Sequence, residues 1–189
     1  MQEIPLHPAL VHIPIGIAFI LPFFAIAATI ALWRGWVTRR TWLALVALQA
    51  FAFGGAFAAV NTGEREEERV EETIGEAAIE THEERAEAFL WIAGIGLTAG
   101  LATAFLRPGK IQNLAAAGTT GLAVLLAASA FLTGHSGGEL VYQHGAARAY
   151  ASTTGGYGTS EMSDGGQEEG KTETGIRNQE REEGEEDDD

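Results

Sequence analysis

Four long apolar segments constrain this chain more than anything else in it: residues 9–33, 42–60, 86–106 and 111–133. Each approaches or exceeds the ~20 residues that a helix needs to cross ~30 Å of hydrocarbon. None carries a charge at its centre, and Glu87 lies at the lip of the third. A helix in a water-soluble bundle needs a polar stripe. Residues 13–32 and 43–60 are instead apolar or small nearly all round. The sequence therefore predicts an all-α fold: an integral membrane four-helix bundle over residues 1–150, then a disordered acidic tail over 151–189. Pro14 and Pro22 predict a first spanning helix that is bent or locally unwound, which neighbouring helices tolerate in lipid.

The loops set an expected orientation. The turn 33–41 carries Arg34, Arg39 and Arg40 with no acid, and the turn 107–110 carries Arg107 and Lys110 with no acid. Short basic loops face the cytoplasm. Both termini and the long segment 63–85 are then expected outside it. The first residues have no basic stretch and no small-residue cleavage site, so the first segment reads as a retained helix rather than a secretory signal. The net charge is −14, and it is unevenly placed: residues 161–189 hold thirteen acids against three bases, and residues 64–87 hold eleven against three. Without a basic stripe, nucleic acid is excluded as a partner. The lipid bilayer is the expected surrounding. The absence of cysteine excludes disulfides, thiolate metal sites and cysteine-ligated clusters.

Two elements beyond the spans have a readable pattern. In residues 63–85, Val70, Ile74, Ala77, Ala78 and Thr81 form a helical stripe in a Glu-rich setting. So acidic a helix avoids anionic lipid headgroups, and its stripe is expected to cover the end of the bundle, with His82 on the same inward face. In the third span, Gly96 and Gly100 have the small-xxx-small spacing that lets membrane helices approach closely. No strand precedes those glycines, so they are not a dinucleotide fingerprint. After Gly145 the chain becomes rich in Gly, Ser and Thr and then acidic, too poor in large apolar residues to offset the entropy of ordering.

All five histidines, His7, His12, His82, His135 and His144, fall at one end of the expected bundle. Any one of them has an ordinary explanation as an amphipathic interfacial side chain. Their common side points to more. One imidazole from each of several facing helices is how bundles assemble haem or metal sites. His12 and His135 are expected as the principal ligands, with His7, His82 and His144 completing or gating the site. The candidate ligands are Zn, Cu or Fe ions, or haem b in a slot between small residues. Asn61, Thr62, Thr133, Ser136, Glu139 and Tyr142 are placed to orient the imidazoles. Gly137, Gly138 and Gly145 would let the segment after the fourth span fold back across the mouth. No nucleophile elbow, zinc-protease motif or phosphate loop is present.

Two motifs carry a family resemblance: Leu6-His7-Pro8-Ala9-Leu10-Val11-His12-Ile13-Pro14-Ile15-Gly16 before the first span, and Gly134-His135-Ser136-Gly137-Gly138-Glu139-Leu140-Val141-Tyr142-Gln143-His144-Gly145 after the fourth. With the four spans, they resemble a family of small bacterial membrane proteins, DUF2231, over residues 5–146. The resemblance implies a four-helix protein of the bacterial inner membrane, sometimes found beside haem proteins, with no established reaction. The expected role is that of a redox, electron-transfer or metal-handling component with envelope redox partners. The alternatives are a small transporter whose histidines relay protons or cations, and an accessory subunit whose acidic tail recruits a basic partner.

Overall fold

The computed structural model describes residues 6–71 and 73–151. Its elements are α1 (Leu6–Leu10), α2 (His12–Trp33), α3 (Arg39–Glu71), α4 (Glu76–Phe105), α5 (Lys110–Tyr142) and α6 (Arg148–Ala151). The four long helices form a closed ring in which each packs on its chain neighbours and α2 packs on α5. Short links make those neighbours antiparallel. At the end of α2, Gly35 takes φ +70°. There its N–H reaches Leu32 O while the Trp36 N–H reaches Ala31 O, closing the helix in a Schellman motif.

The packing is that of a membrane protein. Small residues fill the centre: Ala18, Ala25, Ala52, Ala56, Ala93, Ala116, Ala123 and Ala130 are all buried. Large apolar side chains point outward, with Phe23 72%, Phe51 70%, Trp91 70% and Leu114 76% exposed. In water so large an apolar surface would drive aggregation. In lipid it is the solvated face, and the small interior lets backbones approach. All four helices are long and apolar enough to cross a bilayer. At ~1.5 Å per residue, α3, α4 and α5 exceed the ~30 Å of hydrocarbon, so their ends project. In α4 the projecting part is its first three turns, which hold Glu76, Glu80, Glu83, Glu84, Arg85 and Glu87; the apolar stretch follows them.

Several expectations are corrected in detail. Residues 63–85 do not form one separate helix. They are the projecting end of α3 and start of α4, joined by a turn in which the Thr73 and Ile74 N–H groups both reach Val70 O. The restart at Gly75 resets the helical phase. Ile74 and Ile79 are buried with Ala146, against Val70 and Leu140, while Ala77 and Thr81 face out. Likewise the motif after the fourth span is no loop, since α5 continues to Tyr142. The turn comes at Gly145, φ +76°, where the Ala146 N–H folds back onto Leu140 O. α2 runs through Pro22, and Pro14 sits in its first turn, where a missing N–H costs little. At Val11 the backbone stays helical, and the bond missing there is the one that Pro14, without an N–H, cannot donate to Leu10 O. The acidic tail lies outside the described residues.

Candidate functional site

The projecting ends of α3, α4 and α5, with α1 laid against α3, enclose an open cavity of about 420 Å³. Two imidazoles stand in it. His7 and His82 lie with ring centroids 6.3 Å apart and planes at 89°. His7 is carried by α1. Its Nδ1–H donates to the Ala59 carbonyl at 2.8 Å, and its backbone N–H donates to Glu66 Oε1 at 3.3 Å. His82 faces inward because Ile79, His82 and Ala86 follow helical spacing on the covered side of α4.

The tautomer of both rings follows from their partners. Ser136 Oγ lies 3.0 Å from both Thr133 O and His82 Nδ1; with its single proton given to the carbonyl, its oxygen accepts from an Nδ1–H. That arrangement puts the His82 proton on Nδ1; for His7 the Ala59 carbonyl, which can only accept, requires it there. Each ring is left with a lone pair on Nε2. Thr133 in turn donates to Arg85 O at 3.0 Å, tying α5 to the turn of α4 beside His82. Two glycines make room for the rings. A Cβ at Gly63 would stand 3.2 Å from His7 Cε1, and one at Gly137 would stand 3.2 Å from His82 Cε1.

Five glutamates line the cavity, Glu64, Glu66 and Glu67 from α3 and Glu83 and Glu87 from α4, with no Lys or Arg among its described lining residues. The rest of the wall is aliphatic: Val60, Val70, Ile79, Leu140 and Val141. Both shifted groups lie in the charged, projecting start of α4. Burial, then repulsion from His7 and Arg85, lowers His82 to about 4 against a weak opposing bond to the Thr133 backbone. Burial, then the charge and hydrogen bond of Glu67 and the charges of Glu64 and Glu87, raise Glu83 above the ordinary carboxylate range. At neutral pH His82 is uncharged, which a metal ligand requires.

That shift has a consequence for stability. With folded His82 at about 4 and an unfolded value of 6.5, the unfolded chain takes up the proton first as pH falls. The stability that depends on His82 is complete above pH 6.5 and declines toward pH 4. We expect His82→Gln to remove on the order of 2 kcal/mol of acid sensitivity across that window, after allowing for solvent screening. Thermal unfolding in detergent at several pH values, wild type against variant, reads it. Parallel curves would count against the neutral, buried ring.

The other three histidines are placed elsewhere. His12 is exposed, with its Nδ1–H donating to Pro8 O at 2.6 Å. The His135 side chain is 59% exposed; its Nε2 lies 3.4 Å from Glu139 Oε1 and its ring stacks on Phe131. His144 is exposed in the turn after α5. Of the expected orienting residues, Ser136 and Thr133 serve the His82 side of the cavity. Asn61 and Thr62 bond to carbonyls of their own helix, and Tyr142 is 89% exposed. Among the described residues, no three His, Asp or Glu side chains converge as a metal-holding group. The five glutamates were the part that sequence reasoning passed over. Their signal was present, since Glu64 and Glu67, and Glu83 and Glu87, recur at i, i+3 and i, i+4.

A closed ring of four lipid-facing helices, with a polar mouth at one end, defines a multi-pass membrane protein. The chain belongs to the family described as predicted membrane protein (DUF2231), whose model matches residues 3–149. No curated protein and no solved structure matches it.

Proposed function

We propose that the mouth of the bundle binds a first-row transition-metal ion, zinc or copper, with Nε2 of His7 and of His82 as its nitrogen donors. The observation that carries this reading is the pair of Nδ1 contacts to protein oxygens, His7 to Ala59 O at 2.8 Å and His82 to Ser136 Oγ at 3.0 Å. An Nδ1–H spent in this way orients a metal-binding imidazole and leaves Nε2 basic. With metal–nitrogen bonds of ~2.0 Å, two imidazoles sharing an ion stand with centroids roughly 5–6 Å apart. The 6.3 Å found here lies just beyond that range. The glutamates draw cations toward the cavity.

The same lining argues against haem b. Its two propionates would meet five glutamates and no lining base, an arrangement that Coulomb repulsion disfavours. The role is accordingly metal handling rather than haem-based electron transfer. The basic turns, with Arg34 in one and Arg107 and Lys110 in the other, lie at the end of the bundle opposite the cavity, which by the positive-inside bias supports a mouth outside the cytoplasm.

Elemental analysis after equilibrating the detergent-purified full chain with Zn(II) or Cu(II) tests the proposal. We expect about one equivalent retained by the wild type, and a loss of at least roughly tenfold in affinity in the double variant His7→Gln, His82→Gln. For Cu(II), nitrogen hyperfine lines in the electron paramagnetic resonance spectrum should disappear in the same variant. Equal retention by wild type and double variant would refute the site.

A further inference from the structure

Resting on that metal reading, we propose that the mouth takes its metal as a cationic complex with a small organic chelator rather than as an aqueous ion. Three observations carry this. The first is the donor count. Two imidazoles are brought together, and among the described residues no third His, Asp or Glu converges with them. A four-coordinate ion held by His7 and His82 keeps open positions that an exogenous ligand can fill.

The second is size. One water occupies ~30 Å³ of liquid, so an ion completing its shell with two waters would fill a small part of the 420 Å³ cavity. That volume lies within the roughly 300–1,000 Å³ typical of small-molecule sites. The third is the wall. Val60, Val70, Leu140 and Val141 present aliphatic surface next to the imidazoles. A hydrated ion gains nothing from such surface, whereas an organic ligand gains by burying its own against it. The glutamates then fix the sign of the whole complex. A neutral chelator leaves the metal's charge intact and is attracted, and a polyanionic chelator inverts it and is repelled.

The test compares three forms of one metal on the detergent-purified full chain: aqueous Cu(II), its one-to-one complex with 2,2′-bipyridine, and its one-to-one complex with nitrilotriacetate. Calorimetry gives affinities, and the bipyridine absorbance reports whether the chelator stays bound. We expect the cationic bipyridine complex to bind at least about tenfold tighter than aqueous Cu(II), and the anionic complex to bind more weakly than either. Val141→Ser or Leu140→Ser should shrink the bipyridine advantage to under about threefold while leaving the aqueous ion unaffected. The double variant His7→Gln, His82→Gln in the same detergent corrects for partition into micelles. Equal affinity for the aqueous and bipyridine forms overturns the chelator inference alone, and so does an advantage that survives both wall substitutions. No binding of any form above the double variant overturns the metal site itself, and this inference with it.

Discussion

Replacing Gly137 with leucine should weaken metal binding at the mouth by roughly 10–100-fold, the range typical when the group orienting a ligand is disturbed. Gly138→Leu, one residue further on, should leave it nearly unchanged. The difference comes from helix phase. At Gly137 an added Cβ would already crowd His82 Cε1 at 3.2 Å, and a full side chain would push the ring off Ser136. At Gly138 nothing lies within 4 Å of the same atom. Both substitutions gain ~1 kcal/mol of helix propensity over glycine, so that contribution cancels in the comparison. Gly63→Leu should act on His7 as Gly137→Leu acts on His82, because its Cβ would meet that ring at the same 3.2 Å. Affinities for Zn(II) or Cu(II) measured on the three variants, each first shown to unfold cooperatively, decide the matter. A loss shared equally by the Gly137 and Gly138 variants would mean that the ring needs no seat.

The membrane fold was legible because hydropathy over twenty residues survives any uncertainty in helix ends. The site depended on those ends and was legible only in part. Placing the mouth where the histidines gather needed no more than the span order. Choosing among the histidines needed the phase of each helix beyond the lipid. Had the chain left its helix at Thr133, His135 could have turned inward. Because α5 continues to Tyr142, Thr133, Ser136 and Gly137 share the inward face and His135 lies about 150° away from its centre, beside Glu139. His12 is displaced in the same way: Pro14, Ala18, Leu21 and Ala25 mark the buried face of α2, and His12 is off it. His82 was read as inward from its spacing to Ile74 and Ala78, and it does line the cavity, although Ala77 and Thr81 of that stripe face out beyond the turn at Gly75. His7 was not, since it lies ahead of the first apolar segment, on α1, which runs on through the helical backbone at Val11 and packs against α3.

In the membrane interior, the largest loss of stability is expected from filling the notch at Gly100. Gly96 and Gly100 were expected as packing glycines, and both are buried. What they receive is a polar side chain from α3. Gln49, 2% exposed, donates through Nε2 to Gly96 O at 3.1 Å, and its Oε1 occupies the space where a Gly100 Cβ would stand. Trp42 Nε1–H donates to Gly100 O at 2.9 Å one step along the same seam. The Gln49 amide is held by its bond and enclosed on all sides, so it cannot swing away from a new methyl group. Instead α4 must separate from α3, straining both hydrogen bonds. Gly100→Ala should therefore cost about 2–3 kcal/mol, the upper part of the usual range for overpacking. Gln49→Ala alone should cost little. Interhelical hydrogen bonds in membranes average ~0.6 kcal/mol, and Gln49 Oε1 is the one buried side-chain oxygen or nitrogen without a partner among the described residues. The double variant Gln49→Ala, Gly100→Ala should recover most of the stability, giving a coupling energy above ~1 kcal/mol in the cycle. Unfolding in mixed detergent micelles measures all four corners. Additive losses would show that the glycine is required by the backbone of α4 rather than by the amide it accommodates.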